Sequence, residues 1–239
     1  MALVLVSPAM SAAPPGRGVW IVVPAYNEAP RLGATLTRVC ARWPDVVVVD
    51  DGSTDATCDV ALAHPVWLLR HPLNAGAGAA TRTGIEFALS RGANVVVTLD
   101  ADGQHDPADV ERLIAPVLEG RADLTLGSRF LGTTVGMPAS RRLLLRAAIW
   151  FTWLTAGVKL TDAHNGLRSF SRDAAIRIRI TQSRMAHASE IIAQIRTLRL
   201  RCVEVPVTVT YTAGTLAKGQ RSSGAFKIVL ELVLGRIVR

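Results

Sequence analysis

Short apolar runs alternate with stretches of helical hydrophobic spacing through the first half of the chain. The apolar runs are three to five residues long and rich in valine and leucine, which is typical of strands buried on both faces of a parallel sheet. The stretches between them have the length and spacing of helices that cover such a sheet. The pattern therefore predicts an α/β fold with a mainly parallel sheet flanked by helices. The predicted strands are residues 19–23, 46–49, 66–69, 95–99 and 124–126, and the predicted helices are residues 31–42, 55–63, 79–91 and 108–119.

The second half of the chain is less regular but continues to alternate between helices and strands. Neither an internal repeat nor a linker divides it, so we predict one domain over residues 18–239, preceded by a flexible tail over residues 1–17. The last part, residues 212–239, is expected to face a membrane or a partner, because its helix is amphipathic. The predicted elements are helices over 143–160, 173–180 and 189–198, a strand over 202–211, a basic loop over 212–224 and a closing helix over 226–238.

Composition and charge narrow the range of partners. The 239 residues carry a formal net charge of +8, which favours anionic partners such as nucleotides or acidic lipids. Nucleic acid is a poor fit, because only 5% of the residues are aromatic and no nucleic-acid-binding motif is present. No uncharged apolar run approaches the roughly 18 residues that a membrane-spanning helix needs. Three scattered cysteines give neither a metal spacing nor a disulfide framework, which is typical of a reducing cytosol.

The strongest chemical signal is an acidic pair that follows the predicted strand over residues 95–99. Asp100 and Asp102 stand one residue apart at the end of this strand, so both carboxylates can bind one hard cation. Mg²⁺ or Mn²⁺ prefers oxygen ligands and bridges diphosphate oxygens, and Gln104 could add a further oxygen. The structural alternative is a solvated turn before the next helix, because a D-x-D sequence is short and common.

Two further polar motifs follow strands, at the edge where parallel sheets bind ligands. Asp50 and Asp51 end the second predicted strand and can accept hydrogen bonds from a base or a ribose, whereas Ser53 can cap the following helix. The sequence PAYNE, residues 24–28, ends the first strand and places Glu28 where a ribose or base could be met. In isolation, each motif also fits an ordinary connection from a strand to a helix.

Taken together, these motifs closely resemble those of family 2 glycosyltransferases, enzymes with the GT-A fold. Their order and spacing match over roughly residues 19–130, and later motifs extend the match to about residue 210. The resemblance is nearest to the polyprenyl-phosphate sugar synthases, and it implies a Rossmann-like GT-A domain that uses a UDP- or GDP-linked sugar. The matching motifs are PAYNE at 24–28, DDGSTD at 50–55, NAGAG at 74–78, DADGQ at 100–104, GSR at 127–129, DAHNGLR at 162–168 and EVP at 204–206.

The resemblance also implies roles for individual residues. The metal and the donor diphosphate would be held by Asp100, Asp102 and Gln104. Arg129 would be a positive group near the reacting phosphates, and the predicted catalytic set is Asp100, Asp102, Arg129 and Arg221. Two glycines would let the backbone approach the nucleotide. The complete predicted nucleotide pocket is lined by Pro24, Tyr26, Glu28, Asp51, Gly76, Gly78 and Asp100.

The choice of acceptor depends on whether the reaction needs a general base. A sugar hydroxyl needs one, whereas a lipid monophosphate is already largely dianionic at neutral pH and needs cations instead. The Glu-Asp pair of many hydroxyl-using relatives is absent, which favours the phosphate, and Glu190 and Asp162 are the remaining candidate bases. A plain solvated loop is the alternative for the basic segment around Lys218. The predicted phosphate-binding cations are Arg129, Arg141, Arg168, Lys218 and Arg221.

The predicted helix over residues 143–160 favours work at a membrane surface. Trp150, Trp153 and its cationic ends match a helix that lies among lipid headgroups, although such a stripe also suits a protein core. Many relatives carry spanning helices that this chain lacks. We therefore expect a peripheral enzyme on the cytoplasmic face of a membrane, with a small membrane protein as a candidate partner. A homo-oligomer also stays open.

The sequence thus predicts an inverting, metal-dependent transfer of a hexose from a nucleotide-sugar to a polyprenyl phosphate, such as undecaprenyl or dolichyl phosphate. Two other functions stay open. One is the same donor chemistry with a hydroxyl acceptor on a glycan or lipid-linked sugar. The other is a catalytically silent subunit that binds nucleotide-sugars, against which the intact acidic motifs argue.

Overall fold

An eight-stranded sheet organises the described part of the chain. The structure is a computed structural model, and it describes residues 4–6, 18–162, 165–184 and 186–211. The strands are β1 (Val4–Val6), β2 (Val19–Ala25), β3 (Val46–Asp50), β4 (Trp67–Arg70), β5 (Val95–Thr98), β6 (Leu124–Val135), β7 (Arg168–Ser171) and β8 (Cys202–Thr210). The helices are α1 (Ala29–Cys40), α2 (Thr57–Leu62), α3 (Ala77–Ser90), α4 (Asp109–Leu118), α5 (Ala139–Ala156), α6 (Arg172–Arg177) and α7 (His187–Thr197).

The strands follow the spatial order β1-β4-β3-β2-β5-β7-β6-β8. β4, β3, β2 and β5 run parallel to one another, and β6 runs parallel to β8. β1 at one edge and β7 in the middle are antiparallel to their neighbours. The prediction of an α/β fold with a mainly parallel sheet is confirmed.

Helices cover both faces of the sheet because successive strand side chains point to opposite faces. On one face, Val46 and Val48 of β3 belong to the same apolar cluster as Leu36 of α1. On the other face, Val47 and Val49 share a cluster with side chains of α3 and α7. β3 is buried along its whole length, which explains why its valines follow one another without a polar interruption.

The central strand β7 is absent from the sequence-based prediction, although it lies between β5 and β6. Its side chains are mostly polar, and Phe170 is its one apolar residue. The hydroxyl oxygens of Ser169 and Thr125 lie 2.6 Å apart, and Thr125 donates a hydrogen bond to the carbonyl oxygen of Leu113. These bonds satisfy the buried polar groups, so a polar strand can occupy the middle of the sheet.

Part of the predicted tail forms an edge strand. β1 pairs with β4 in antiparallel register, with Leu5 opposite Leu69. These three residues are therefore strand rather than flexible tail, because an apolar triplet can complete the open edge of a sheet. Residues 7–17 lie outside the described residues, as do the predicted basic loop and closing helix over residues 212–239.

A two-stranded extension carries the chain from β6 into α5. β6 is longer than predicted because it pairs with β8 on both sides of a bulge between Ser128 and Thr133. α5 follows Pro138 and ends at Gly157, whose φ of +69° is the left-handed conformation that favours glycine. None of the helices in the described ranges is long and apolar enough to cross a membrane.

Candidate active site

The predicted motifs meet at one edge of the sheet. β4, β3, β2 and β5 are parallel, so the turns that follow them leave the sheet on the same side. The PAYNE sequence ends β2, and the acidic pair 50–51 ends β3. The glycine loop, residues 74–78, follows β4, and the acidic pair Asp100 and Asp102 follows β5. Open α/β sheets bind ligands at this carboxyl edge.

Asp100 lies at the centre of this edge, and 49% of its side-chain surface is exposed. The Oδ2 atom of Asp100 lies 3.5 Å from Nε2 of the buried His105. Gly166 lies directly beneath the carboxyl group, because a Cβ atom added to this glycine would come within 2.1 Å of Oδ2. Burial acts to raise the pKa of Asp100, but His105, Arg168 and His187 hold it below its ordinary value.

Asp102 completes an acidic pair whose chemistry fits a divalent cation. Burial and the neighbouring charge of Asp100 raise the pKa of Asp102 above its ordinary value, so a cation between the two carboxylates would relieve their repulsion. No cluster of three or more acidic, histidine or cysteine ligands occurs among the described residues. The backbone oxygen of Gln104 accepts a hydrogen bond from the amide of Thr210, which leaves its side-chain amide for the predicted metal contact.

The PAYNE turn is fixed to the turn that follows β3. The amide of Asn27 donates to Oγ of Ser53, and the amide of Glu28 donates to Oγ1 of Thr57, both at 2.9 Å. Tyr26 is exposed, and the carboxylate of Glu28 lies 2.6 Å from a guanidinium nitrogen of Arg31. Pro24 is half-buried at the end of β2. The structure therefore places three predicted pocket residues, Pro24, Tyr26 and Glu28, together.

Asp51 has a different environment from the one predicted. Its carboxylate is buried and accepts hydrogen bonds from the backbone amides of Ala75 and Gly76, at 2.9 and 2.7 Å. Nδ1 of the buried His71 lies 2.7 Å from the same carboxylate. These contacts fasten the glycine loop to β3. Three partners therefore already surround the carboxylate oxygens of Asp51.

Gly76 and Gly78 make room for protein backbone. A Cβ atom added to Gly78 would lie 2.0 Å from the carbonyl oxygen of Gln182, and one added to Gly76 would lie 2.3 Å from that of Ser183. The carbonyl oxygen of Ser183 also accepts a hydrogen bond from the amide of Gly78 at 2.7 Å. Residues 182–184 therefore lie against these glycines, where the sequence analysis expected the nucleotide to approach the backbone. They also cap the N-terminus of α3.

Arg129 is buried in an ion pair and is not directed at an open cleft. Its side chain is 6% exposed, and its Nε lies 2.5 Å from Oδ2 of Asp162. A second guanidinium nitrogen donates to the hydroxyl of Tyr211 at 2.6 Å. Burial acts to lower the pKa of Arg129, but Asp162 and Tyr211 raise it above its ordinary value. The ion pair ties β6 to the loop that contains Asp162, and the hydrogen bond to Tyr211 ties β6 to the end of β8.

Arg168, a predicted contact of the acceptor phosphate, is also buried. The residue is 4% exposed, and its Nε donates to the carbonyl oxygen of Asn165 at 3.0 Å. Burial lowers its pKa, against the opposing charges of Asp100 and Asp162. Arg168 therefore acts as a cation behind the acidic pair.

Four predicted site residues remain, and only Arg141 and Glu190 lie in the described part of the chain. The guanidinium carbon of Arg141 lies 5.0 Å from the ring centroid of Tyr211, at the start of α5. Glu190, a candidate base, accepts hydrogen bonds from the backbone amides of Thr181 and Gln182. Its carboxylate therefore anchors the start of the segment that caps the N-terminus of α3. Lys218 and Arg221 lie outside the described residues.

Comparison with known proteins agrees with this arrangement. The family model described as Glycosyl transferase family 2 matches residues 20–179. This chain belongs to the family 2 glycosyltransferases. The predicted enzyme class is confirmed.

Two relatives of this glycosyltransferase have informative names. The chain is 35% identical to the undecaprenyl-phosphate mannosyltransferase of Micrococcus luteus, over 86% of this chain and 88% of that protein. It is 32% identical to the polyprenol monophosphomannose synthase of Mycolicibacterium smegmatis, over 94% of this chain and 91% of that protein. The predicted similarity to polyprenyl-phosphate sugar synthases is confirmed.

A solved structure confirms the fold of this glycosyltransferase. The glucosyl-3-phosphoglycerate synthase from Mycobacterium tuberculosis, in complex with Mn²⁺, UDP-glucose and phosphoglyceric acid, superposes with a TM-score of 0.61. The two chains are 22% identical over 83% of this chain and 74% of that one. The GT-A architecture predicted from the motifs is confirmed.

Three residues around Asp100 were given no role in the sequence analysis. His105 directly follows the DADGQ run and stands three positions after Asp102, so its position beside two acidic residues was a usable signal. Gly166 lies within the matching motif at 162–168 and His187 lies in none, and neither could be linked to Asp100, because each comes from a segment more than 60 residues further along the chain. Only the fold brings these segments to the carboxyl edge.

Proposed function

We propose that this glycosyltransferase transfers a hexose from a nucleotide-sugar to a polyprenyl phosphate at a membrane surface. The observation that carries the proposal is that both candidate bases already have ion-pair or hydrogen-bond partners within the protein. Asp162 lies in the buried ion pair with Arg129, and Glu190 binds the amides of residues 181 and 182. A hydroxyl acceptor would require a base, whereas a phosphate dianion would not.

The donor would be held at the acidic pair. Asp100 and Asp102 would bind Mg²⁺ or Mn²⁺ together with the donor diphosphate, and the side chain of Gln104 would complete the protein ligands. When bound, the cation would stabilise the negative charge that develops on the leaving diphosphate. His105 and Gly166 would fix the position of Asp100, one through its imidazole and the other by leaving space for the carboxyl group.

The acceptor phosphate would be drawn in by cations. Arg141 stands near the site on the Tyr211 ring and is only half-buried. Lys218 and Arg221 follow Tyr211 in the chain and stay predicted phosphate contacts. Attack by the phosphate oxygen on the face of the sugar opposite the nucleotide would invert the anomeric carbon. Polyprenyl phosphate is the acceptor to which the names of the two relatives refer most directly.

The surface of α5 supports contact with a membrane. Leu143, Trp150 and Leu154 are 72%, 61% and 57% exposed, and α5 has three arginines and no acidic residue. The ammonium of Lys159 lies 5.3 Å from the ring centroid of Trp153, at the other end of the helix. Exposed aromatic and aliphatic residues flanked by cations suit the headgroup region of anionic lipid. We place this contact at the cytoplasmic face, where a peripheral enzyme would meet its nucleotide-sugar.

An acceptor competition tests the proposal. Purified protein with Mn²⁺ and a labelled donor is offered polyprenyl phosphate, the corresponding free polyprenol, or both. We expect label on the phosphate and none on the alcohol, with the rate for the phosphate unchanged when the alcohol is added. Transfer to the alcohol or to a soluble glycan would show that a hydroxyl is the acceptor and would overturn the proposal. Donor binding without transfer to any acceptor would instead favour the silent subunit.

A further inference from the structure

His187 is a half-buried histidine that the proposed reaction does not yet use. It is the first residue of α7. A Cβ atom added to Gly78 would lie 2.9 Å from Cβ of His187, so the residue stands beside the N-terminus of α3. Its charge influences Asp100, and the charges of Arg168 and Asp100 influence its own pKa. His187 therefore stands beside the N-terminus of α3, within electrostatic range of Asp100.

One ring nitrogen of His187 is already engaged. Nδ1 lies 2.7 Å from the carbonyl oxygen of Arg184, and a carbonyl oxygen accepts hydrogen bonds, so Nδ1 carries the proton. In the neutral ring, Nε2 is then a hydrogen-bond acceptor. Nε2 makes no hydrogen bond with any residue in the described part of the chain. Burial and the charge of Arg168 lower the pKa of His187, which agrees with a neutral ring.

The protonation pattern limits the ligand that His187 can meet. An acceptor nitrogen cannot bind a phosphate oxygen, because both groups would offer lone pairs. It can bind a group that donates, and the donor groups on the two sides of the diphosphate are the hydroxyls of the transferred sugar and those of the ribose. His187 and Asp100 lie within electrostatic range of each other, so a sugar attached to a diphosphate held at the acidic pair would come near Nε2.

We propose that His187 is a specificity-determining residue whose Nε2 accepts a hydrogen bond from a hydroxyl of the transferred sugar. The proposal rests on the nucleotide-sugar being bound at Asp100 and Asp102, and it adds a direct contact between the protein and the sugar ring. It is independent of the acceptor, so it can be tested on donor binding alone.

Two variants separate the two nitrogens of the ring. His187→Asn keeps a side-chain N–H where Nδ1 lies, and can still bind the carbonyl oxygen of Arg184, but it has no atom at the position of Nε2. His187→Gln places an amide oxygen near that position. The matched control is His64→Asn, because Nδ1 of His64 also lies close to a backbone carbonyl, at 2.9 Å from that of Val60, away from the acidic pair.

Binding of nucleotide and nucleotide-sugar provides the readout. Calorimetry with Mn²⁺ gives the Kd of UDP and GDP and of UDP-glucose, UDP-N-acetylglucosamine and GDP-mannose. The affinity advantage of a nucleotide-sugar is the Kd of its nucleotide divided by the Kd of the nucleotide-sugar. For the preferred donor, we expect His187→Asn to reduce this advantage by roughly 3- to 10-fold, which corresponds to the loss of one hydrogen bond. The affinity for the nucleotide itself stays unchanged. His187→Gln retains the advantage, and His64→Asn behaves as wild type.

Three results would overturn the inference. An unchanged advantage in His187→Asn would show that Nε2 does not contact the sugar. An equal loss for nucleotide and nucleotide-sugar in both variants would show that His187 only supports residues 182–184. Normal donor binding with turnover reduced about 100-fold or more would identify a base acting on the acceptor. Failure of transfer to polyprenyl phosphate in the wild type would refute the proposed function but would leave this binding test intact.

Discussion

At the scale of single residues, the site depends on how closely Asp100 is surrounded. Its carboxyl group lies beside His105, and Gly166 lies beneath it without a side chain. Any atom added at Gly166 would meet both carboxylate oxygens, at 2.1 and 2.3 Å. The position of this proposed metal ligand is thus set by a glycine that is far away in sequence. A small change at Gly166 should be as harmful as a change at Asp100 itself.

Gly166→Ala is therefore expected to displace the carboxyl group of Asp100. A displacement near 1 Å at a reacting centre lowers turnover by about 100-fold, and the overpacked methyl group costs roughly 1–3 kcal/mol of unfolding free energy. The measurements are glycosyl transfer and thermal unfolding. The control is Gly33→Ala in α1, where the nearest atom to an added Cβ lies at 3.4 Å and activity should not change. Full activity in Gly166→Ala would contradict the described position of Asp100.

The acidic pair was recognisable in the sequence, whereas the buried ion pairs were not. Asp100 and Asp102 are recognisable because the residues that define their role are neighbours in the chain. Arg129 was expected at the reacting phosphates, but its environment depends on Asp162 and Tyr211, which are 33 and 82 residues away. Burial of a charge is decided by such distant partners, so a local motif cannot reveal it.

At the scale of elements, one extended segment links three helices. Residues 178–184 leave α6, cap the N-terminus of α3 and enter α7. Glu190 holds this segment from α7 through the amides of Thr181 and Gln182. Gln194, one turn later, binds both the amide and the carbonyl oxygen of Arg179. The segment is thereby fixed along two turns of α7.

Substitution of Glu190 separates an anchoring role from a catalytic one. Glu190→Gln keeps an acceptor oxygen for the amides and is expected to retain turnover within about threefold, whereas loss of a true base would cost about 100-fold or more. Glu190→Ala leaves the amides without this partner and should lower the unfolding free energy by about 1 kcal/mol. Turnover and denaturant unfolding are measured on both variants. A collapse of turnover in Glu190→Gln at normal stability would restore Glu190 as the base.

Most strands and helices followed from hydrophobic periodicity, and β7 did not. Valine runs identify strands such as β3 because both of their faces are buried in apolar surroundings. β7 is buried by means of side-chain hydrogen bonds instead, through Ser169 and Thr125. A polar sequence with buried partners looks like a loop until the partners are known, so periodicity alone could not predict this strand.

At the scale of the whole molecule, the donor site and α5 are joined by β6. This strand runs parallel to β8 past the carboxyl edge and delivers the chain to the start of α5. Arg141, in the first turn of α5, packs on Tyr211, which in turn binds Arg129. A phosphate at a lipid surface beneath α5 would thus lie close to the acidic pair. The sequence predicted this helix and its exposed tryptophan residues, whereas its position relative to the site required the fold.

Trp150→Glu is expected to weaken membrane binding. The exposed indole would enter the headgroup region, and a carboxylate in its place would lose the burial of apolar surface and repel anionic lipid, which together cost about tenfold or more in affinity. Sedimentation with phosphatidylglycerol vesicles measures the effect. Leu118→Glu, at the end of α4, is the control because Leu118 is also exposed but belongs to a different face. Equal binding by Trp150→Glu and wild type would place the membrane contact elsewhere.

The most direct test of the account is transfer of a labelled sugar by the wild type and by Asp102→Asn. UDP-, GDP- and dTDP-linked sugars are offered in turn with Mn²⁺ and polyprenyl phosphate in detergent, with Asp173→Asn as a control at an exposed aspartate of α6. We predict that label enters the organic phase with one class of donor, and that chelation of the metal or Asp102→Asn reduces this by about 100-fold or more. Asp173→Asn should transfer normally. Transfer that survives both chelation and Asp102→Asn would contradict a metal-dependent reaction at the acidic pair.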